Sequence, residues 1–96
     1  MLKKPTQIKS DFANFNPKTN MFTLIKNIEL KQKSFKLTCE YLRYDINNEI
    51  ITMTGNVIIK KFGIEHLNSN KLVIDIKKET FRSDSTQQLS EIILEL

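Results

Sequence analysis

Asp45-Ile46-Asn47-Asn48-Glu49-Ile50-Ile51-Thr52-Met53 is a polar turn running into an alternating strand, and the chain has already spelled it once, about 29 residues earlier, as Asn16-Pro17-Lys18-Thr19-Asn20-Met21-Phe22-Thr23-Leu24. A third copy opens about 30 residues further on with Asp75-Ile76-Lys77-Lys78-Glu79-Thr80-Phe81. The agreement continues past the turn. Asn27-Ile28-Glu29-Leu30-Lys31 aligns with Asn56-Val57-Ile58-Ile59-Lys60, and Phe15, Tyr44 and Ile74 fall at one position. Such a period marks a unit too small to bury its apolar face alone, one that stacks on copies of itself.

Each unit reads as two strands. In the second, Ile51, Met53, Val57 and Ile59 share one parity across Gly55, while Thr52, Thr54, Ile58 and Lys60 share the other. The first unit repeats this with Phe22, Leu24, Ile28 and Leu30, and has Lys26 where Gly55 stands. One face is therefore dry and the other mostly wet. The intervening strands carry Phe35 and Leu37, then Leu42, Tyr44 and Ile46, and later Ile64, then Leu72, Ile74 and Ile76. Their parity slips near Glu40-Tyr41 and near Asn68–Asn70, which predicts a bulge or bend there, and Gly55 inside a long strand predicts another.

Asparagine-rich and lysine-rich turns at 16–20, 46–48 and 76–78, with Gln32-Lys33 and Phe62-Gly63 at the opposite ends, punctuate about six antiparallel strands: 7–15, 21–31, 34–45, 49–61, 64–75 and 80–84. The tail differs in kind. Leu89, Ile92, Ile93 and Leu96 lie at helical spacing behind the capping pattern Ser85-Thr86-Gln87-Gln88, and an edge strand on Ile92, Leu94 and Leu96 fits the same residues. The reading is one domain over 1–84 and a tail over 85–96, short helix or edge strand. At 96 residues, a chain buries only about 60–70% of its unfolded surface. A nearly all-sheet protein of this size either folds two sheets face to face or leaves an apolar face open to a ligand or another chain.

Composition argues against several classes. The net charge is +4, but Arg43 and Arg82 are the only arginines and the lysines are spread along the chain, so no nucleic-acid partner is expected. Cys39 is the single cysteine and sits in an alternating strand, which makes it a small core residue; no disulfide can form within the chain. His66 is the single histidine, with Glu65 as its adjacent carboxylate, and no metal site, cofactor or catalytic base is expected of it. No glycine-flanked nucleophile or paired-carboxylate spacing stands out, so the expectation is a protein that is not an enzyme.

Tyr44-Asp45, a polar turn, Ile51-Thr52-Met53-Thr54-Gly55-Asn56-Val57-Ile58-Ile59, then Leu72-Val73-Ile74-Asp75 and Phe81-Arg82-Ser83 resemble the repeating pattern of the OstA-like lipopolysaccharide-transport proteins, the periplasmic LptA and LptC group. The resemblance spans roughly 12–83. Gly-Asn-Val alone is weak; inside this period it is stronger. The resemblance implies an all-β fold, a twisted open β-jellyroll of antiparallel strands whose two sheets form a V, with lipopolysaccharide acyl chains in the apolar groove. Carried over by position, Phe22, Leu24, Ile28, Leu30, Ile51, Met53, Val57, Ile59 and Phe81 would line the groove, and Phe35, Leu37, Ile64, Leu72 and Ile74 would form its facing wall. Ordinary sandwich core is the other reading of the same residues. The implied partners are other OstA-like proteins joined by edge-strand pairing, self-association included, and the implied place is the periplasm, at the inner membrane for an LptC-like member. Met1–Thr6 holds neither the apolar run of a secretion signal nor a membrane-spanning helix. An in-frame apolar segment upstream of Met1 would support export. Two other functions remain open: a structural β-repeat module that pairs only with protein, and, further off, a basic β-domain that binds nucleic acid.

Overall fold

The computed structural model describes residues 7–78 and 80–83, with only the backbone of residue 81. These form seven strands and no helix: β1 (Gln7–Lys9), β2 (Phe12–Asn16), β3 (Met21–Lys31), β4 (Phe35–Asp45), β5 (Ile50–Lys61), β6 (Ile64–Asp75) and β7 (Thr80–Ser83). All belong to one antiparallel sheet in the order β1-β3-β4-β5-β6-β7, with β2 also paired on β3. The expected tail helix or strand over 85–96 lies outside the described residues, as does Asp84 at the end of the last expected strand.

The repeat in sequence is a repeat in hydrogen bonds. Asn16, Asp45 and Asp75 stand 29 and 30 residues apart, and each accepts a backbone N–H in the turn that follows it. Lys18 N donates to Asn16 Oδ1 at 3.0 Å, Asn48 N to Asp45 Oδ1 at 3.2 Å, and Lys78 N to Asp75 Oδ1 at 3.0 Å. A short side-chain acceptor closing the turn on its own chain is what places Asn and Asp at these positions. Asn20 and Glu49, equivalent in the repeat, both take positive φ, 58° and 54°. Each then accepts from the next unit, Ile46 N to Asn20 O at 3.2 Å and Ile76 N to Glu49 O at 2.9 Å. The turns are thereby stitched into a stack.

The long strands bend at a common level. In β3, Lys26 and Asn27 both have positive φ (66° and 50°), and in β5 so do Gly55 and Asn56 (82° and 49°). The register slips there, between Ile25 and Ile28 and between Thr54 and Val57. The neighbouring strands answer with the expected parity slips: in β4 the buried residues step from Cys39 to Leu42, and in β6 from Ser69 to Leu72. The bend also splits the expected first strand. β1 follows the far half of β3, with Ile8 opposite Leu30, while β2 follows the near half, with Phe12 opposite Ile25 and Phe15 opposite Phe22. Ser10 and Asp11 span the corner.

A single flat sheet is about 10 Å thick, whereas this molecule measures 38 × 29 × 26 Å. The bends turn each long strand so that its two halves become the arms of a sheet folded toward its own apolar face. Leu24, Leu42, Ile51, Met53, Leu72 and Ile74 come from one arm, and Ile28, Leu30, Phe35, Leu37, Cys39, Val57, Ile59 and Leu67 from the other. All fourteen are buried and make one cluster. Two buried polar residues accompany them, Gln32 and Ser69. The hydroxyl of Ser69 is satisfied, donating to Lys71 O at 3.0 Å and accepting from Ser83 Oγ at 2.9 Å.

Candidate functional site

An apolar cavity of about 200 Å³ opens where the two arms face each other at the β1 edge. Leu30 and Ile8 supply one wall from the far arm. Phe22, Leu24, Leu42, Tyr44, Ile46 and Ile51 supply the other from the near arm and its turn. Leu24 and Leu30 are only six residues apart, and the bend at Lys26-Asn27 is what sets them on opposite walls. Phe22 is half-buried and tilted against Phe15 of β2, with ring centroids 6.2 Å apart. Burial, assisted by the Glu49 carboxylate, raises the pKa of Tyr44 above its ordinary value, so its hydroxyl stays protonated and the lining carries no charge at neutral pH.

Of the residues expected to line a groove or its facing wall, Leu24, Ile28, Leu30, Phe35, Leu37, Ile51, Met53, Val57, Ile59, Leu72 and Ile74 all lie in the buried cluster, with Phe22 packed against it. Only Phe22, Leu24, Leu30 and Ile51 of this set line the open cavity; the others are packed behind it. Ile64 stands apart from the buried set. It is 65% exposed, at the first position of β6 opposite Lys61, and the register slip between Ile59–Leu67 and Lys60–Glu65 leaves it at the rim. Leu67, fully buried, takes the interior place instead; an apolar residue isolated among His66, Asn68 and Ser69 was its one trace in the sequence. The backbone of Phe81 pairs with Ile74, but its side chain lies outside the description.

Cys39 is buried as expected, and desolvation is the main cause that pushes its thiol up to about 12. It is therefore a neutral core residue, poorly suited to nucleophilic work. Among the described residues no three His, Cys, Asp or Glu side chains come together to hold a metal ion, and no helix is long and apolar enough to cross a membrane.

The lysines differ from their scattered appearance in sequence. Lys31 pairs with Lys36 across β3 and β4, and Lys36 with Lys60 across β4 and β5. Three ammonium groups thus form one exposed row at the end of the sheet away from the Asx turns. Lys36 Nζ lies 3.9 Å from Glu29 Oε1, a loose ion pair. Compared with known proteins, the chain matches no protein-family model and no curated protein.

Proposed function

We propose that this chain is an OstA-like β-jellyroll of the lipopolysaccharide-export type, which holds lipid acyl chains between its arms and passes them toward the outer membrane. The observation that carries the reading is the cavity at the β1 edge, walled by both arms and uncharged throughout. An acyl chain is slender, uniform and free of polar groups, so it asks of its site only dry walls of the right spacing. At about 200 Å³ the cavity is smaller than the roughly 300–1,000 Å³ pockets that enclose whole drug-sized ligands. It suits a length of one chain, with the rest of the lipid reaching past the β1 edge.

Transfer between similar grooves requires no bond to be made or broken, so no catalytic residue is assigned. Among the described residues, β1 and β2 pair only with β3, and β7 only with β6. Their outer backbone groups suit edge pairing with another OstA-like protein or a second copy, a heterologous contact that can extend the groove. The proposed place is the periplasm, with inner-membrane association if the chain is LptC-like.

The test places a photo-reactive residue at Phe22, on the cavity wall, and another at Arg43, exposed beside Leu42 and Tyr44 on the opposite face, in the presence of lipopolysaccharide. Labelling at position 22 well above position 43 is expected. Equal labelling, or none at 22, would make the cluster plain core and the chain a structural β-repeat module.

A further inference from the structure

The hairpin that joins β5 to β6 is built against its own local preference. Phe62 and Gly63 both have positive φ, 52° and 77°, the backbone of a two-residue type I′ turn whose favoured first residue is Asn, Asp or Gly. A bulky aromatic in that conformation is a rare and strained choice. The ring gains no burial in return, since Phe62 is 75% exposed and Ile64, just past the turn, is 65% exposed. Phe62 N donates to Ser34 O at 2.8 Å, which ties this hairpin to the β3–β4 turn beside it. Between the two turns lies a wide cleft of about 690 Å³, with Lys31, Lys33, Lys36, Lys60 and Phe62 in its lining.

The charge arrangement is unfavourable on the same terms. Like charges directly opposite on neighbouring strands are destabilising, yet Lys31, Lys36 and Lys60 occupy one row of three strands, with Lys33 in the adjoining turn. A strained exposed aromatic and a row of like charges, offset only by Glu29 near Lys36 at 3.9 Å and by Glu65 opposite Lys60, are each a cost to the isolated fold. A surface that is anionic at its face and apolar just beneath offsets both. Lysines bind anionic headgroups while their stems and neighbouring aromatics reach the acyl boundary. We propose that the Phe62–Ile64 hairpin tip and the Lys31–Lys36–Lys60 row dock this protein onto an anionic lipid bilayer. The site is separate from the apolar cavity, which is lined by other residues, so it stands or falls independently of acyl-chain binding there.

The experiment is co-sedimentation of the full chain with vesicles of phosphatidylglycerol and phosphatidylcholine, against vesicles of phosphatidylcholine alone. Binding to the anionic vesicles that weakens with added salt is expected. At about fivefold per lysine near such a surface, the triple variant Lys31→Gln, Lys36→Gln, Lys60→Gln should bind roughly 100-fold more weakly. Phe62→Asn separates docking from folding, because it installs a preferred turn residue: its thermal midpoint should stay level or rise while vesicle binding falls. Equal binding to both vesicle types, or anionic binding that both variants retain, overturns the proposal. So does a single-stranded oligonucleotide that displaces the protein from vesicles at equal phosphate concentration through the same lysines, since the row then belongs to nucleic acid.

Discussion

Gly55 and Lys26 hold the same place in the repeat and the same left-handed backbone, yet only one is glycine. At Gly55 a Cβ would stand 2.8 Å from the Cβ of Glu40, on the neighbouring interior strand. At Lys26 the neighbour is the corner between β1 and β2, where Asp11 N donates to Lys26 O at 2.9 Å and Asn27 Nδ2 to Asp11 Oδ2 at 2.8 Å. The chain has opened there, and the lysine ammonium lies 6.0 Å from the Phe12 ring centre. Gly55→Ala should therefore lower stability by about 2 kcal/mol, from left-handed strain and the contact with Glu40 together, whereas Lys26→Gly should cost nothing measurable; urea unfolding midpoints compare the two. Cys39 supplies a pH dependence at the same scale. Its folded-state pKa is raised, so the unfolded chain loses the thiol proton first. The associated stability is fully present below the ordinary thiol range and should decline as pH rises from about 9 toward 12. Unfolding followed between pH 8 and 11 should show that decline, and the thiol should stay unreactive toward a disulfide reagent until the protein unfolds.

Among the elements, the turns and the bends do different work. The turns at Asn16, Asp45 and Asp75 set the repeat and are closed by local bonds. Asp45 accepts from both Asn48 N and Asn48 Nδ2, the latter at 2.8 Å, and these bonds hold its carboxyl below the usual carboxylate range. Because that pKa is depressed, the contribution is present at neutral pH and is lost as pH falls through the carboxylate range. Asn16 closes the first turn with an amide oxygen, so Asp45→Asn should keep most of the thermal stability while Asp45→Ala loses it, and only the wild type should show the acid dependence attached to this turn. Thermal melts at pH 7 and pH 3.5 separate the three proteins. The bends cost left-handed backbone at Lys26, Asn27, Gly55 and Asn56, and what offsets them is the apolar burial they make possible.

For the whole molecule, the question is whether the apolar face is a filled core or an open groove, and the structure grades it. Ile59 is fully buried, so Ile59→Ala should destabilise by about 3 kcal/mol in chemical denaturation. Phe22 lines the cavity and is only half-buried, so Phe22→Ala should cost less than half as much while widening the mouth between the arms. Comparable losses at the two positions would mean that the β1 edge is as closed as the centre.

The period of the chain and the residues of its turns determined the strands, their alternating faces and the place of each Asx turn, because alternation and turn chemistry act between residues a few positions apart. They also marked the slips in β4 and β6, since a parity break is visible in a single strand. What the tertiary structure decided depends on register between strands, which no local pattern states. It broke the expected first strand at Ser10 and Asp11 to follow the bend in β3, moved Ile64 to the rim and Leu67 inside through a slip against β5, and set Leu24 and Leu30 on facing walls. It also brought Lys60 opposite Lys36 and so into one row with Lys31, because each residue skipped at a bulge shifts every partner beyond it.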